Sequence, residues 1–226
     1  MNADIAKYID HTNLNPNATK ADIAKLCAEA AENKFFAVCV NPYWVRFAVK
    51  ELSSTQVAVA TVIGFPLGAN LSDLKIAEAQ KAVSDGAEEI DMVINIAALK
   101  DGELDYVTEE IAGVVRASRG APVKVIIETD LLTDEEKVAA TKACVKAGAA
   151  TVKTSTGFVK DGKGATVEDV KLIKETLAGA PLGIKASGGV RDYEKAQALI
   201  DVGATRLGTS SGVAIIKGGQ AVAGAY

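Results

Sequence analysis

The stretch Gly148-Ala149-Ala150-Thr151-Val152-Lys153-Thr154-Ser155-Thr156-Gly157 leaves a helical pattern, crosses a short β-prone run and opens into small hydroxylic residues. Gly148 suits the left-handed backbone position that ends a helix, because it has no Cβ to clash there. Ala150 to Lys153 reads as a strand, and Lys153 stands where that strand becomes a loop. The frame recurs at Gly183-Ile184-Lys185-Ala186-Ser187-Gly188-Gly189, again an apolar run that reaches a lysine and then small residues. Gly86-Ala87 and Gly203-Ala204 mark the same passage from helix to strand elsewhere. A chain assembled from such units sets parallel strands side by side, with helices packed on the sheet.

Working outward, strand-like runs fall at Tyr8 to His11, Phe36 to Val40, Val57 to Ile63, Glu88 to Val93, Val123 to Ile127, Ala150 to Lys153, Leu182 to Ala186 and Thr205 to Gly208. Helical patterns fill the intervals. Thr133-Asp134-Glu135-Glu136 is a capping box, Pro42 suits a first helical turn, and Asp192 precedes a segment with Ala196, Leu199 and Ile200 on one face. Eight βα units in 226 residues, with no linker or low-complexity break, predict an α/β fold. The expected form is a (β/α)8 TIM barrel with a short N-terminal first strand, one domain over residues 1–226. If Tyr8 to His11 is only a turn, a seven-stranded open sheet is the alternative, although closure removes edges that would otherwise be exposed. A doubly wound fold is less attractive, because no GxGxxG opens a helix after an early strand.

Composition narrows the function. Hydrophobic residues make up 49% of the chain and aromatics only 5%, so the core must be filled mainly by Ala, Val, Ile and Leu, as in helices laid on a parallel sheet. A net charge of −4 gives no general attraction to nucleic acid or an anionic membrane, so an anion must be held by a local site. Cys27, Cys39 and Cys144 are an odd, widely spaced set without a CxxC, and His11 is the lone histidine; neither a disulfide framework nor a structural zinc site is expected. The first residues lack a signal-peptide pattern, and no apolar run approaches the ~18 residues of a membrane span. A cytoplasmic protein with a small ligand is the expectation.

Two lysines at strand ends suggest amine chemistry. An amine attacks a carbonyl only when unprotonated, and a free lysine, with a pKa of ~10.4, is almost wholly protonated at neutral pH. Burial and a second cation within ~4–6 Å both disfavour the charged form. Inward-pointing Lys153 and Lys185 on neighbouring strands, ~4.8 Å apart, meet both conditions. Either lysine alone reads better as a surface residue beginning a loop; it is the matched pair that brings the amine reading level with it. In Glu89-Ile90-Asp91-Met92-Val93, Ile90 and Met92 share the parity that packs on helices, which turns Asp91 into the barrel, either as a buried counter-ion or as a proton shuttle. Asp10 stands at the end of the first strand, where it suits a cap or turn and is also placed to orient Lys185; His11 reads as structural. Barrels often bind phosphate in the loops after strands seven and eight, beside a short helix. Ser187-Gly188-Gly189-Val190-Arg191 and Gly208-Thr209-Ser210-Ser211-Gly212 occupy those places. Tyr226 ends a glycine- and alanine-rich tail that is able to bring a phenol to the barrel mouth.

These residues resemble deoxyribose-phosphate aldolases, a class I aldolase family, over essentially the whole chain. The resemblance lies in Asp-His-Thr-Asn-Leu at 10–14, Ala-Val-Cys-Val-Asn-Pro at 37–42, Glu-Ile-Asp-Met-Val at 89–93, Val-Lys-Thr-Ser-Thr-Gly at 152–157, Gly-Ile-Lys-Ala-Ser-Gly-Gly-Val-Arg at 183–191 and Gly-Thr-Ser-Ser-Gly at 208–212. It implies reversible cleavage of 2-deoxy-D-ribose 5-phosphate to D-glyceraldehyde 3-phosphate and acetaldehyde, without metal or other cofactor. It implies a Schiff base on Lys153, a pKa-lowering role for Lys185, a proton relay through Asp91 with Lys185, and help from Tyr226, with Asp10 beside them as the candidate that orients Lys185. Gly188, Gly189, Ser210 and Ser211 are implied to hold the sugar phosphate, and Thr156, Gly157 and Arg191 are further candidates for the same subsite. Phe158 departs from longer relatives that carry a lysine there, which places more weight on Arg191. Cys39 matches a cysteine near the site and reads as core. A homodimer is the assembly implied. Another sugar-phosphate barrel enzyme, transaldolase-like or an isomerase, and a non-enzymatic sugar-phosphate sensor are the competing readings.

Overall fold

Each strand is buried on both faces, so residues of one parity meet helices while those of the other meet one another across the barrel. The computed structural model describes residues 3–219. Its strands are β1 (Ile9–Asn13), β2 (Ala37–Val40), β3 (Ala58–Ile63), β4 (Glu89–Val93), β5 (Val123–Ile126), β6 (Thr151–Lys153), β7 (Gly183–Ser187) and β8 (Arg206–Thr209). They pair in parallel in chain order, and β8 returns to β1 through Ile9 opposite Leu207, Asp10 opposite Gly208 and His11 opposite Thr209. That seam excludes the open seven-stranded alternative. Two expectations shift along the strands: β1 runs on to Asn13 and β7 to Ser187, so Asp10 lies near the start of its strand and Lys185 in the middle of its own rather than at their ends.

The helices are α1 (Ala3–Ala6), α2 (Lys20–Asn33), α3 (Val45–Leu52), α4 (Ser72–Ser84), α5 (Ile96–Lys100), α6 (Leu104–Ala117), α7 (Asp134–Lys146), α8 (Val167–Leu177), α9 (Tyr193–Asp201) and α10 (Gly212–Ile216). Thr133 and Glu136 form the capping box of α7, Asp192 caps α9 by accepting from the Lys195 N–H, and Pro42 opens a short 3-10 turn. Thr19 and Asp22 make a second capping box, on α2. Gly86, Gly148 and Gly203 take φ of 104°, 77° and 123° just past helix ends, the left-handed exit that the Gly-Ala recurrence anticipates. Among the described residues, no helix is long and apolar enough to cross a membrane, and the three cysteines are free and buried.

The core has two parts. Between strands and helices lies a continuous aliphatic shell that includes Ile9, Val38, Val59, Ile90, Met92, Val125, Val152, Ile184 and Leu207. Inside the barrel, Leu14, Cys39, Ala60 and Val62 form a small separate cluster capped by Phe65. The remaining interior, from β4 round to β1, carries the charged side chains Glu89, Asp91, Lys124, Lys153, Lys185, Arg206 and Asp10.

The β1–β8 seam is the element least marked by composition, so it gives a direct test of closure. Ile9 is fully buried there. Ile9→Ala is expected to lower the free energy of unfolding by about 2–5 kcal/mol. A urea titration showing less than ~0.5 kcal/mol, the range of an exposed site, contradicts a closed seam.

Candidate active site

The charged interior is built by register. Asp91 lies opposite Lys124 in the β4–β5 pair, Lys153 opposite Lys185 in β6–β7, and Lys185 opposite Arg206 in β7–β8. At the amino-terminal end of the strands, Arg206 bridges Glu89 (3.1 Å) and Asp10 (2.8 Å), its guanidinium stacked 3.4 Å over the Phe36 ring. One step up, Lys124 Nζ reaches Glu89 (2.7 Å) and Asp91 Oδ1 (2.8 Å). Above that, Lys153 and Lys185 each place Nζ 2.8 Å from the same oxygen, Asp91 Oδ2, and Lys185 also contacts Asp10. Two nitrogens on one oxygen are at most twice that distance apart. Gly208 makes room for this: a Cβ there would stand 3.1 Å from Lys185 Cε and 2.9 Å from Ser187 Cβ.

The two lysines are not equivalent. Burial lowers the pKa of Lys153; Asp91 pulls it back up and Lys185 pushes it down again, leaving it below the ordinary lysine value. Burial also disfavours charge on Lys185, but Asp10 and Asp91 outweigh it and raise its pKa. Asp91 is desolvated, yet Lys124, Lys153 and Lys185 together hold its carboxyl well below the usual range. At ~5 Å and an effective dielectric of ~20, two ammonium groups repel by about 3 kcal/mol, enough to decide which of them gives up its proton. Lys185 keeps a carboxylate of its own in Asp10. Lys153 has only a share in Asp91, so its charged form is the less supported of the two. The Cys39 thiol is pushed up to about 11, first by burial and then by Asp91, and stays neutral in the apolar cluster.

Lys153, Lys185, Asp91 and Asp10 are thus brought together and almost wholly buried. Beside the barrel mouth lies a cleft of about 270 Å³, whose walls include Gly157, Gly188, Gly189, Arg191 and Ser210 together with Asp130 and Asp161. Thr156 and Ser211 flank this cleft without lining it. The Thr156 hydroxyl and N–H donate to the buried Glu128, and the Ser211 N–H donates to Thr209 Oγ1 at 2.9 Å. The ends of β6 and β7 are tied by Thr154 Oγ1, which donates to Ser187 O and accepts from the Ser187 N–H, both at 3.1 Å. Gly188 and Gly189 take φ of 83° and 67°, and Gly164 passes so close that a Cβ on it would stand 2.2 Å from Gly188 O. Tyr226 lies outside the described residues. His11 donates to or accepts from Glu29 at 2.8 Å, on the α2 side, away from the lysines. Among the described residues, no group of three or more His, Cys, Asp or Glu side chains is placed to hold a metal ion.

Lys124, Glu89 and Arg206 enter the site without having been picked out from sequence. Strand parity marks all three: Glu89 is two residues from Asp91, and Lys124 and Arg206 each face inward beside apolar neighbours that face helices.

A family model described as DeoC/LacD family aldolase matches residues 5–218. The deoxyribose-phosphate aldolase of Thermococcus gammatolerans is 58% identical over 221 residues, covering 96% of this chain and 97% of that protein. The deoxyribose-phosphate aldolase of an Exiguobacterium species is 56% identical over 218 residues, covering 96% and 97%. Among solved structures, the tetrameric deoxyribose phosphate aldolase of Aeropyrum pernix is 33% identical and superposes with a TM-score of 0.89 over 95% of this chain and 90% of that one.

The asymmetry between the lysines sets a pH dependence. Replacing Lys185 removes a positive charge that lowers the Lys153 pKa and leaves Asp91 with one cation fewer, which raises it; both effects have the same sign. Lys185→Leu is therefore expected to move the pH profile of amine reactivity at Lys153 to more alkaline pH, with a roughly 10- to 100-fold loss at neutral pH that narrows as pH rises. An unchanged profile contradicts the coupling.

Proposed function

This chain belongs to the DeoC/LacD family of aldolases, and on that premise we propose that it reversibly cleaves 2-deoxy-D-ribose 5-phosphate to D-glyceraldehyde 3-phosphate and acetaldehyde through a Schiff base on Lys153. The observation that carries the reading is the sharing of one carboxylate oxygen by two amines, of which only Lys153 has its pKa lowered.

The neutral Lys153 amine adds to the C1 aldehyde of the open-chain sugar, giving a carbinolamine whose hydroxyl leaves as water once protonated. Lys185 is held protonated within reach of the same carboxylate and supplies that proton. The resulting iminium withdraws electrons from C2. The C2–C3 bond then breaks as the C3 hydroxyl loses its proton, releasing D-glyceraldehyde 3-phosphate and leaving an enamine on Lys153. Asp91, held far below the ordinary carboxyl range, is a poor base alone; it works with Lys185 as one hydrogen-bonded unit that passes protons to and from the substrate. Protonation of the enamine at carbon, with Tyr226 assisting, and hydrolysis of the imine return acetaldehyde and free Lys153. Asp10 keeps Lys185 in place and charged, while Gly157, Gly188, Gly189, Arg191 and Ser210 on the cleft wall, with Thr156 and Ser211 behind it, hold the sugar phosphate.

The same reading makes the barrel one catalytic unit in a reducing cytoplasm, consistent with its three buried free thiols. A homodimer is the proposed assembly. Tyr43, Leu67 and Leu71, at 84%, 73% and 70% exposure, offer apolar surface for it.

Borohydride reduction in the presence of acetaldehyde, followed by peptide mapping, is expected to leave a stable adduct on the peptide containing Lys153. Lys153→Ala is expected to lose the adduct and at least roughly 1,000-fold in turnover while keeping the wild-type circular dichroism. An adduct on Lys185 instead, or turnover within tenfold of wild type, overturns the assignment.

A further inference from the structure

The cleft beside the mouth is poorly balanced for an anion. Asp130 and Asp161 both line it, and a phosphate monoester brings a further charge of about −1.5 to −2 at neutral pH. Arg191 is one cation on its wall. Phe158 adds none, since its ring packs edge-on against Phe65 with centroids 5.1 Å apart. Two carboxylates against Arg191 leave this set net negative before any substrate arrives.

A further cation stands close by, on α9. Helical side chains lean back over the preceding turn, so a lysine in the first turn of a helix lies over the loop that feeds it. Lys195 occupies that turn, its backbone N–H fixed by Asp192 at 2.8 Å. Its Nζ stands 3.3 Å from where a Cβ on Gly189 would be, against the left-handed Gly188-Gly189 loop on the cleft wall. The side chain is half-buried, and among the described residues its ammonium forms no ion pair. Burial lowers its pKa, and its electrostatic neighbours are Asp192, Arg191 and Asp130, two of which line the cleft. Asp130 is partly satisfied already, accepting the Lys163 and Gly164 N–H groups at 3.0 and 2.8 Å. A half-desolvated ammonium without a carboxylate of its own gains from an incoming anion what it has lost in hydration.

We propose that Lys195 is a phosphate-binding residue of this aldolase, donating to the substrate phosphate across the Gly188-Gly189 loop alongside Arg191. The inference rests on the sugar-phosphate substrate proposed above and adds a ligand to it. Lys195 takes over the charge that Phe158 does not provide.

The test compares 2-deoxy-D-ribose 5-phosphate with unphosphorylated 2-deoxy-D-ribose, so that a general folding defect cancels. In Lys195→Gln the ratio of kcat/KM for the phosphorylated over the unphosphorylated sugar is expected to fall roughly 10- to 100-fold, mainly through KM, with Lys195→Arg recovering most of it. Competitive inhibition by inorganic phosphate should weaken in parallel. A ratio that stays at the wild-type value in Lys195→Gln overturns the proposal. If the wild type cleaves neither sugar, the aldolase reading itself fails, and calorimetric titration of inorganic phosphate into wild type and Lys195→Gln decides the binding role alone: equal affinities reject it and a selective loss supports it.

Discussion

One carboxylate organises the interior of this barrel. Asp91 receives Lys124 on one oxygen and both Lys153 and Lys185 on the other, all at 2.8 Å and all almost wholly buried. Around it, three carboxylates, Asp10, Glu89 and Asp91, face four cationic side chains, Lys124, Lys153, Lys185 and Arg206. The cluster therefore cannot be neutral with every group in its ordinary ionised form. Removing ions from water costs several kcal/mol each even after relaxation, so an uncompensated charge is shed where shedding is cheapest. Arg206 does not deprotonate in practice, Lys124 touches two carboxylates and Lys185 is held by Asp10 as well as Asp91. Lys153 is the member with a single, shared partner. The odd charge count thus favours loss of a proton at Lys153, the condition that the proposed Schiff-base chemistry requires.

The arrangement depends on the barrel being closed and on its interior being divided. Closure puts Asp10 of β1 beside Lys185 of β7, two strands reached from opposite ends of the chain order, with β8 and its Gly208 between them. The sector formed by Leu14, Cys39, Ala60 and Val62 contributes no charge, only a low-dielectric wall. Next to such a wall the attraction and repulsion among the ions are less screened than in water, which sharpens the difference between the two lysines. The aliphatic shell outside the strands holds this charged interior against its tendency to separate. Cutting one partner from a buried ion cluster typically costs 3–5 kcal/mol, so these residues are tied to the fold as well as to the chemistry.

Much of this was legible in sequence because it is local. Strand runs ending in small residues, glycines at helix exits and the capping box at Thr133 each depend on a few neighbours, and all reappear in the structure. The inward turn of Asp91 follows from the parity of Ile90 and Met92, and the pairing of Lys153 with Lys185 from their matched frames. What sequence did not disclose depends on register. Lys124 lies in a run that reads as an ordinary buried strand, and only the alignment of β4 with β5 reveals that it meets Asp91. Arg206 and Glu89 are first residues of their strands, where charge is commonplace, and only closure brings them to each other. Lys195 reads as one more polar position on an amphipathic helix; its placement against Gly189 arises from how α9 folds back on the loop before it.

The protonation state of the Lys153 amine is open to direct measurement. Protein labelled with 13C at lysine Cε can be titrated by NMR, with Lys153 and Lys185 assigned from single substitutions. Lys153 is expected to titrate clearly below the ~10.4 of a free lysine while Lys185 remains protonated to the alkaline limit of the folded state. A Lys153 midpoint at or above the free value, or a Lys185 that deprotonates first, contradicts that expectation.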